Sequence, residues 1–227
     1  MSNLIFDDGD IHRSFDNTGF VLLTDVIPDA LLEIRYYSTF NFVGRRIDAY
    51  EAPVAYLTIE AAEALKKVSD NLRKKGYVIE VFDAYRPQSA VDHFKRWAKY
   101  LDDIAMKPYF YPDVDKTDLF KLGYIAEKSG HSRGAAVDLT IVDMRNGLEL
   151  DMGGSFDFFG ELSHSYHTQG LTQQQIQNRA LLRDAMTENG FQYLPEEWWH
   201  FVLKNEPYPD TYFDFPVTWP PLGSKKG

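Results

Sequence analysis

The chain has 227 residues, 44% hydrophobic and 15% aromatic, enough for one domain with a substantial core and too apolar for a disordered chain. Thirty-four acidic residues against 24 basic ones leave a formal charge of −10, and no basic run exceeds the three of Arg73-Lys74-Lys75, so nucleic acid is not an expected partner. Cysteine is absent, which excludes disulfides, thiolate nucleophiles and thiolate metal sites and confines any metal site to six histidines and the acids.

No stretch approaches the roughly 18 apolar residues of a membrane span, and Met1 to Asp10 is acidic rather than basic and then apolar. The expected compartment is the cytoplasm, with the periplasm as the alternative if a leader has been removed. Without internal repeats or a long Ser/Gly linker, residues 1–227 read as a single domain, with its core in about 20–205 and a Pro-rich tail over 206–227.

Thr58 to Lys75 place Ile59, Ala62, Leu65, Val68 and Leu72 at helical spacing, with Gly76 positioned to end the helix. Tyr77 to Tyr85 is β-rich and stops before Pro87, which opens a second predicted helix over about 88–104. Lys107 to Lys128, broken by Pro108 and Pro112, is expected to be a loop-rich excursion with one short turn of helix. Ala135 to Val142 is a second strand, and residues 146–170, rich in glycine and aromatics, make a long irregular loop of the kind that is often functional. Thr172 and Gln175 form a capping box ahead of a helix that stops at Gly190, and Trp198 to Leu203 is a third strand. The tail beyond Asn205 holds five of the eleven prolines and is expected to wrap the surface.

Three segments set titratable residues at or beside strand ends. In Ser129-Gly-His131-Ser-Arg-Gly134-Ala-Ala-Val-Asp138, the carboxylate interrupts an apolar strand, where it is costly unless paired or metal-bound. Residues seven apart on a strand point to opposite faces, so His131 meets Asp138 only if Gly134 turns the chain. In Glu196-Glu197-Trp198-Trp199-His200, acid and imidazole lie three apart; the H-E-x-x-H pattern of helical zinc peptidases is absent, so any metal ligands come from distant segments. A His, Asp, His set with an open position and a nearby glutamate is chemically complete for zinc hydrolysis. In Phe82-Asp83-Ala84-Tyr85-Arg86-Pro87, the proline holds Arg86 extended, where a guanidinium can face an oxyanion or pair with Asp83.

In chain order, DAYRP, SGHSRGAAVD and EEWWH resemble the motifs of the VanX-type D-alanyl-D-alanine dipeptidases, within the zinc D-Ala-D-Ala peptidases. The likeness runs from about Ile34-Arg35-Tyr36, with Asn41-Phe42 and Gly44 nearby, to Val202. It implies one Zn²⁺ held by His131, Asp138 and His200, with Glu197 as general base and later acid and Arg86 stabilising the oxyanion. It also implies that Ser129 and Tyr124 line the substrate site and that Asp157 receives the free ammonium of a D-Ala-D-Ala substrate. The implied fold is α+β: helices packed on a small, mainly antiparallel sheet, with the zinc in a central cleft and a loop-rich cap for which 107–128 and 146–170 are the available segments. An N-acylated substrate would leave Asp157 buried and unpaired, which favours a dipeptidase over the alternatives. Those are a D,D- or L,D-carboxypeptidase acting on peptidoglycan stem peptides, and a non-catalytic zinc-binding module for peptidoglycan recognition.

The remaining features have plainer readings. His164 and His167 are loop residues rather than a second metal pair, and His12 and His93 are surface residues. Asp113, Asp115 and Asp118 miss the spacing and glycine of a calcium loop and read as a solvated acidic loop. Trp198 and Trp199 are packing residues. Nothing in the sequence sets the oligomeric state.

Overall fold

A computed structural model describes residues 13–14 and 16–220; His12 and the last seven residues of the tail lie outside them. In chain order the elements are β1 (Arg13–Ser14), β2 (Phe20–Leu22), α1 (Leu23–Val26), β3 (Leu31–Leu32), β4 (Tyr56–Thr58), α2 (Ile59–Arg73), β5 (Tyr77–Asp83), α3 (Gln88–Lys99), α4 (Lys107–Phe110), β6 (Ala136–Asp143), β7 (Leu148–Glu149), α5 (Gln173–Thr187), β8 (Phe191–Leu194), β9 (Glu197–Leu203) and β10 (Tyr212–Phe213). The result is a mixed fold of helices and small sheets.

The main sheet has the order β3-β5-β6-β9-β8, with β7 pairing the far end of β6. Only β3 and β5 run parallel; the other pairs are antiparallel. Every residue of β6, the central strand, is buried. Ile79 pairs with Ile141 and Val81 with Leu139, so these apolar side chains leave the sheet on one face. Glu80 and Thr140, also partners, leave on the other.

The helix α2 forms as its spacing predicts, burying Ala62, Leu65, Val68 and Leu72 along one stripe. The predicted capping box opens α5: the Thr172 hydroxyl accepts from Gln175 N while the Gln175 side chain accepts from Thr172 N. By contrast, α3 stops at Lys99, short of the expected end near residue 104, and Pro87 is its N-cap rather than a first-turn residue. The buried Lys116 ammonium accounts for the early stop, since it donates to the carbonyls of Tyr100 (2.6 Å) and Asp103 (2.8 Å) and stabilises a turn where the helix would have continued.

Three further expectations are corrected. The segment 146–170 is mostly irregular but contains β7 and a 3₁₀ turn at Glu161–Ser163. His93 is no surface residue: its ring is mostly buried and Nδ1 accepts from Asp48 N at 3.1 Å. The tail does more than wrap the surface, because β10 pairs with β1 and Phe213, Phe215 and Val217 enter the core. Phe215 stacks on Tyr85, centroids 4.1 Å apart, and accepts the Tyr85 hydroxyl at its backbone carbonyl. A proline-rich segment cannot form helix, but its aromatic residues still gain by burial.

Candidate active site

The sheet register assembles most of the site. Asp138 on β6 has His200 of β9 as its partner on one side and Asp83 of β5 on the other, so three polar side chains form a row across three strands. Simple alternation from Val81 would send Asp83 to the opposite face. An irregularity between Val81 and Asp83 supplies the extra residue that re-aims it. A second register shift, between Tyr193 and Leu194 opposite β9, does the same for Glu197, whose three-residue spacing from His200 would otherwise point it away.

His131 arrives from outside the sheet. It sits in a 3₁₀ turn, Gly130–Arg133, capped by Ser129, whose Oγ accepts from His131 N. The turn ends at Gly134, with φ of +80°, where an added Cβ would lie 2.2 Å from the Phe20 ring. Only glycine satisfies both the left-handed backbone and the close approach. This is the chain reversal that the seven-residue spacing requires.

The ligand atoms of His131, Asp138 and His200 lie within 4.8 Å of one another. His131 Nε2 is 3.0 Å from His200 Nδ1 and 3.3 Å from Asp138 Oδ2, and His200 Nδ1 is 2.9 Å from Asp138 Oδ1. His131 Nδ1 donates to the Ala84 carbonyl at 2.7 Å, which fixes the tautomer and leaves the Nε2 lone pair facing the other two groups. Burial works to raise the Asp138 pKa, but the two imidazoles overcome it and hold the carboxyl below its usual range. A buried, ionised carboxylate beside two oriented imidazoles is a donor set suited to Zn²⁺, with nitrogen and oxygen ligands converging on one point. The residues therefore fit the metal.

Asp83, 1% exposed, ties the surrounding shell together. It accepts from Tyr50 Oη at 2.5 Å and from Arg86 Nε at 2.9 Å, and its other contact is His131 Nδ1 at 3.6 Å. Arg86 thus pairs with Asp83 and still reaches Ser129 Oγ (3.4 Å) and Asp138 Oδ2 (3.6 Å). Its guanidinium carbon lies 4.9 Å from the centre of the Tyr36 ring. The Tyr36 hydroxyl in turn donates to Asp157 Oδ2 at 2.9 Å, its sole side-chain hydrogen bond among the described residues. Tyr36 and Tyr50 are the residues that sequence reasoning missed. Tyr36 lies within the Ile34-Arg35-Tyr36 stretch, but no local spacing marks either phenol as part of the site.

Asp157 is buried with φ of +60°, an unusual backbone for aspartate that directs its carboxyl inward. Burial, and then the Asp138 charge, push its pKa well above the usual carboxylate range. Glu197 is about a third exposed, and burial of its carboxylate, opposed by His200 and aided by Asp138, raises it to about 7. Its Oε2 is 3.7 Å from His200 Nδ1. A cavity of about 330 Å³ opens at Glu197, lined also by Tyr124, Phe159, His164 and Trp199. Tyr124 stacks on Phe159 with centroids 4.7 Å apart, so it forms a wall of the opening, whereas Ser129 turns inward to His131 and Arg86.

All eight residues singled out in the sequence fall in or beside this region. The model of the D-Ala-D-Ala dipeptidase family, Peptidase_M15, matches residues 16–218. The chain belongs to the D-Ala-D-Ala dipeptidase family. The family peptidase from Enterococcus faecium, a D-alanyl-D-alanine dipeptidase, is 40% identical over 88% of this chain and 98% of its own length. That of Streptomyces coelicolor is 36% identical over 87% and 98%. A solved D,D-pentapeptidase of a VanB-type vancomycin resistance cassette, in complex with Zn(II), covers 69% of this chain and 77% of its own at 17% identity and a TM-score of 0.41, a likeness too weak to bear on the chemistry. Among the described residues, no helix of this family member is long and apolar enough to cross a membrane.

Proposed function

We propose that this dipeptidase-family chain hydrolyses D-alanyl-D-alanine to two molecules of D-alanine with one Zn²⁺ held by His131, Asp138 and His200. When bound, the metal supplies Lewis acidity, lowering the pKa of a water and polarising the scissile carbonyl. Glu197, next to the metal ligands and open to the cavity, takes the proton of the attacking water at its carboxylate and passes it to the leaving amine. Arg86 is held by Asp83 with its Nη atoms turned toward Ser129 and Asp138, placed to donate to the carbonyl oxygen as that atom gains charge.

The observation that carries the choice of a dipeptide is the buried pair of Asp157 and Tyr36. A carboxyl so far from water ionises at a cost, and the free ammonium of a dipeptide repays it by forming a charged pair with Asp157. An acylated amine offers no charge and leaves the carboxyl with the Tyr36 hydroxyl alone, without a cationic partner.

The test combines two measurements on the zinc-loaded chain. Glu197→Gln should retain the metal and lose about 10²–10⁴-fold in kcat. The wild-type chain should prefer D-Ala-D-Ala to its N-acetyl derivative by at least about 10²-fold in kcat/KM. Full activity in the glutamine variant would overturn the assigned base, and a preference for the acetylated substrate would favour a carboxypeptidase.

A further inference from the structure

A second set of ligand atoms converges away from the catalytic residues. Glu33, Glu80 and Glu149 each offer an oxygen within 4.8 Å of the others. They come from three stretches of chain: Glu80 from β5, Glu149 from the end of β7, and Glu33 from just after β3, which runs parallel beside Glu80. The charges do not balance. Arg35 Nη2 bonds Glu33 at 2.9 Å, while no side-chain hydrogen bond or ion pair among the described residues reaches Glu80 or Glu149. Three carboxylates therefore share one guanidinium. Burial, and then the charges of Glu149 and Glu33, raise the pKa of Glu80 to about 7.

Thr140 supplies an independent observation. It is the antiparallel partner of Glu80, so the two side chains project side by side from the same face of the sheet into this cluster. Thr140 is fully buried, and its Oγ1 has no hydrogen-bond partner. A buried hydroxyl without a partner is rare and calls for a ligand. A cavity of about 340 Å³ opens at Glu149, lined also by Arg35, Phe82, Phe156 and Trp198.

We propose that Glu33, Glu80 and Glu149, with the Thr140 hydroxyl, form a binding site for a hard divalent cation of the calcium class. The donors are all oxygen, with no imidazole to favour zinc. Three carboxylates and a hydroxyl brought from separate stretches of chain suit the flexible, oxygen-rich shell of Ca²⁺ better than Mg²⁺, which demands a near-ideal octahedron and keeps several waters. Two residues of that cavity's wall adjoin catalytic ones in the chain: Phe156 precedes Asp157, and Trp198 follows Glu197. A bound ion would cross-link β3, β5 and β7 behind that wall.

The test titrates Tb³⁺ and then Ca²⁺ into the full chain preloaded with one equivalent of Zn²⁺. It reads Tb³⁺ luminescence sensitised through tryptophan, Trp198 lining the cavity that opens at Glu149, together with the thermal midpoint in Ca²⁺. The wild type should bind Tb³⁺, release it to Ca²⁺ with half-displacement at roughly 10⁻⁵–10⁻³ M, and melt at a higher temperature with Ca²⁺. Glu80→Gln and Glu149→Gln should each weaken binding at least tenfold and abolish the thermal shift, Thr140→Val should weaken it severalfold, and Asp115→Asn in the exposed loop should change nothing. Glu149 is exposed, so its variant keeps the test decisive if Glu80→Gln does not fold. Equal titrations of wild type and both glutamine variants, no Ca²⁺-dependent shift in the wild type, or a signal lost on His131→Ala instead would each overturn the proposal.

Discussion

His200 and Asp138 face each other as partners on adjacent antiparallel strands, with His200 Nδ1 2.9 Å from Asp138 Oδ1. Two of the three proposed zinc ligands are therefore set by sheet register, and only His131 depends on a turn. Without a cation, Asp138 raises the pKa of His200 against the pull of burial. Asp138→Asn removes the charge while keeping the shape of the ladder. It should reduce zinc content to background by elemental analysis and lower activity by several orders of magnitude, with the far-ultraviolet dichroism unchanged. Chelation of the wild type should give the same loss, reversed by adding Zn²⁺.

Asp157→Asn retains the hydrogen bond to Tyr36 but cannot pair with an ammonium. The variant should lose roughly 10²-fold or more in kcat/KM on D-Ala-D-Ala while losing little on N-acetyl-D-Ala-D-Ala, so that the two rates converge. If both substrates suffer equally, Asp157 serves the structure and not substrate selection.

Gly134→Ala tests the turn that delivers His131. The added Cβ meets the Phe20 ring in a left-handed backbone, and the expected destabilisation is about 2 kcal/mol or more by urea denaturation. Displacement of His131 should also weaken zinc affinity. Gly147→Ala, with a similar φ of +70° but open space around it, should cost stability without changing metal affinity.

Lys116 gives a pH dependence separate from the catalytic residues. Burial lowers its pKa from 10.5 to about 8, against the opposing pull of Asp103. Between about pH 8 and 10.5 the unfolded chain holds this proton more tightly than the folded one. The cost of burying the charge is thus present in full below about pH 8 and is relieved as pH rises. Unfolding free energies of wild type and Lys116→Met, compared at about pH 7 and 9, should shift in favour of the wild type at the higher pH. A constant gap between them would refute the assignment.

The elements carried by local periodicity were legible: the α2 stripe, the α5 capping box and the strands holding Asp138 and His200 all lie where the spacing predicts. The odd spacings were informative as well. Seven residues from His131 to Asp138 demanded a reversal, and Gly134 provides it. What stayed hidden depends on distant partners. Lys116 ends α3 from 16 residues beyond Tyr100, Tyr36 meets Asp157 across 121 residues, and Tyr50 meets Asp83 across 33. The bulges that re-aim Asp83 and Glu197 belong to pairs of strands, so neither strand shows them alone. Proline content made the tail look superficial, while Phe213 and Phe215 were deciding its position.

The stack of Phe215 on Tyr85 has a consequence for biosynthesis. Tyr85 immediately precedes Arg86, and its hydroxyl is held by the Phe215 carbonyl, so the backbone that carries the arginine is braced by a segment made late in synthesis. Order of synthesis thus leaves the strand end before Arg86 unbraced until the segment around residue 215 has docked.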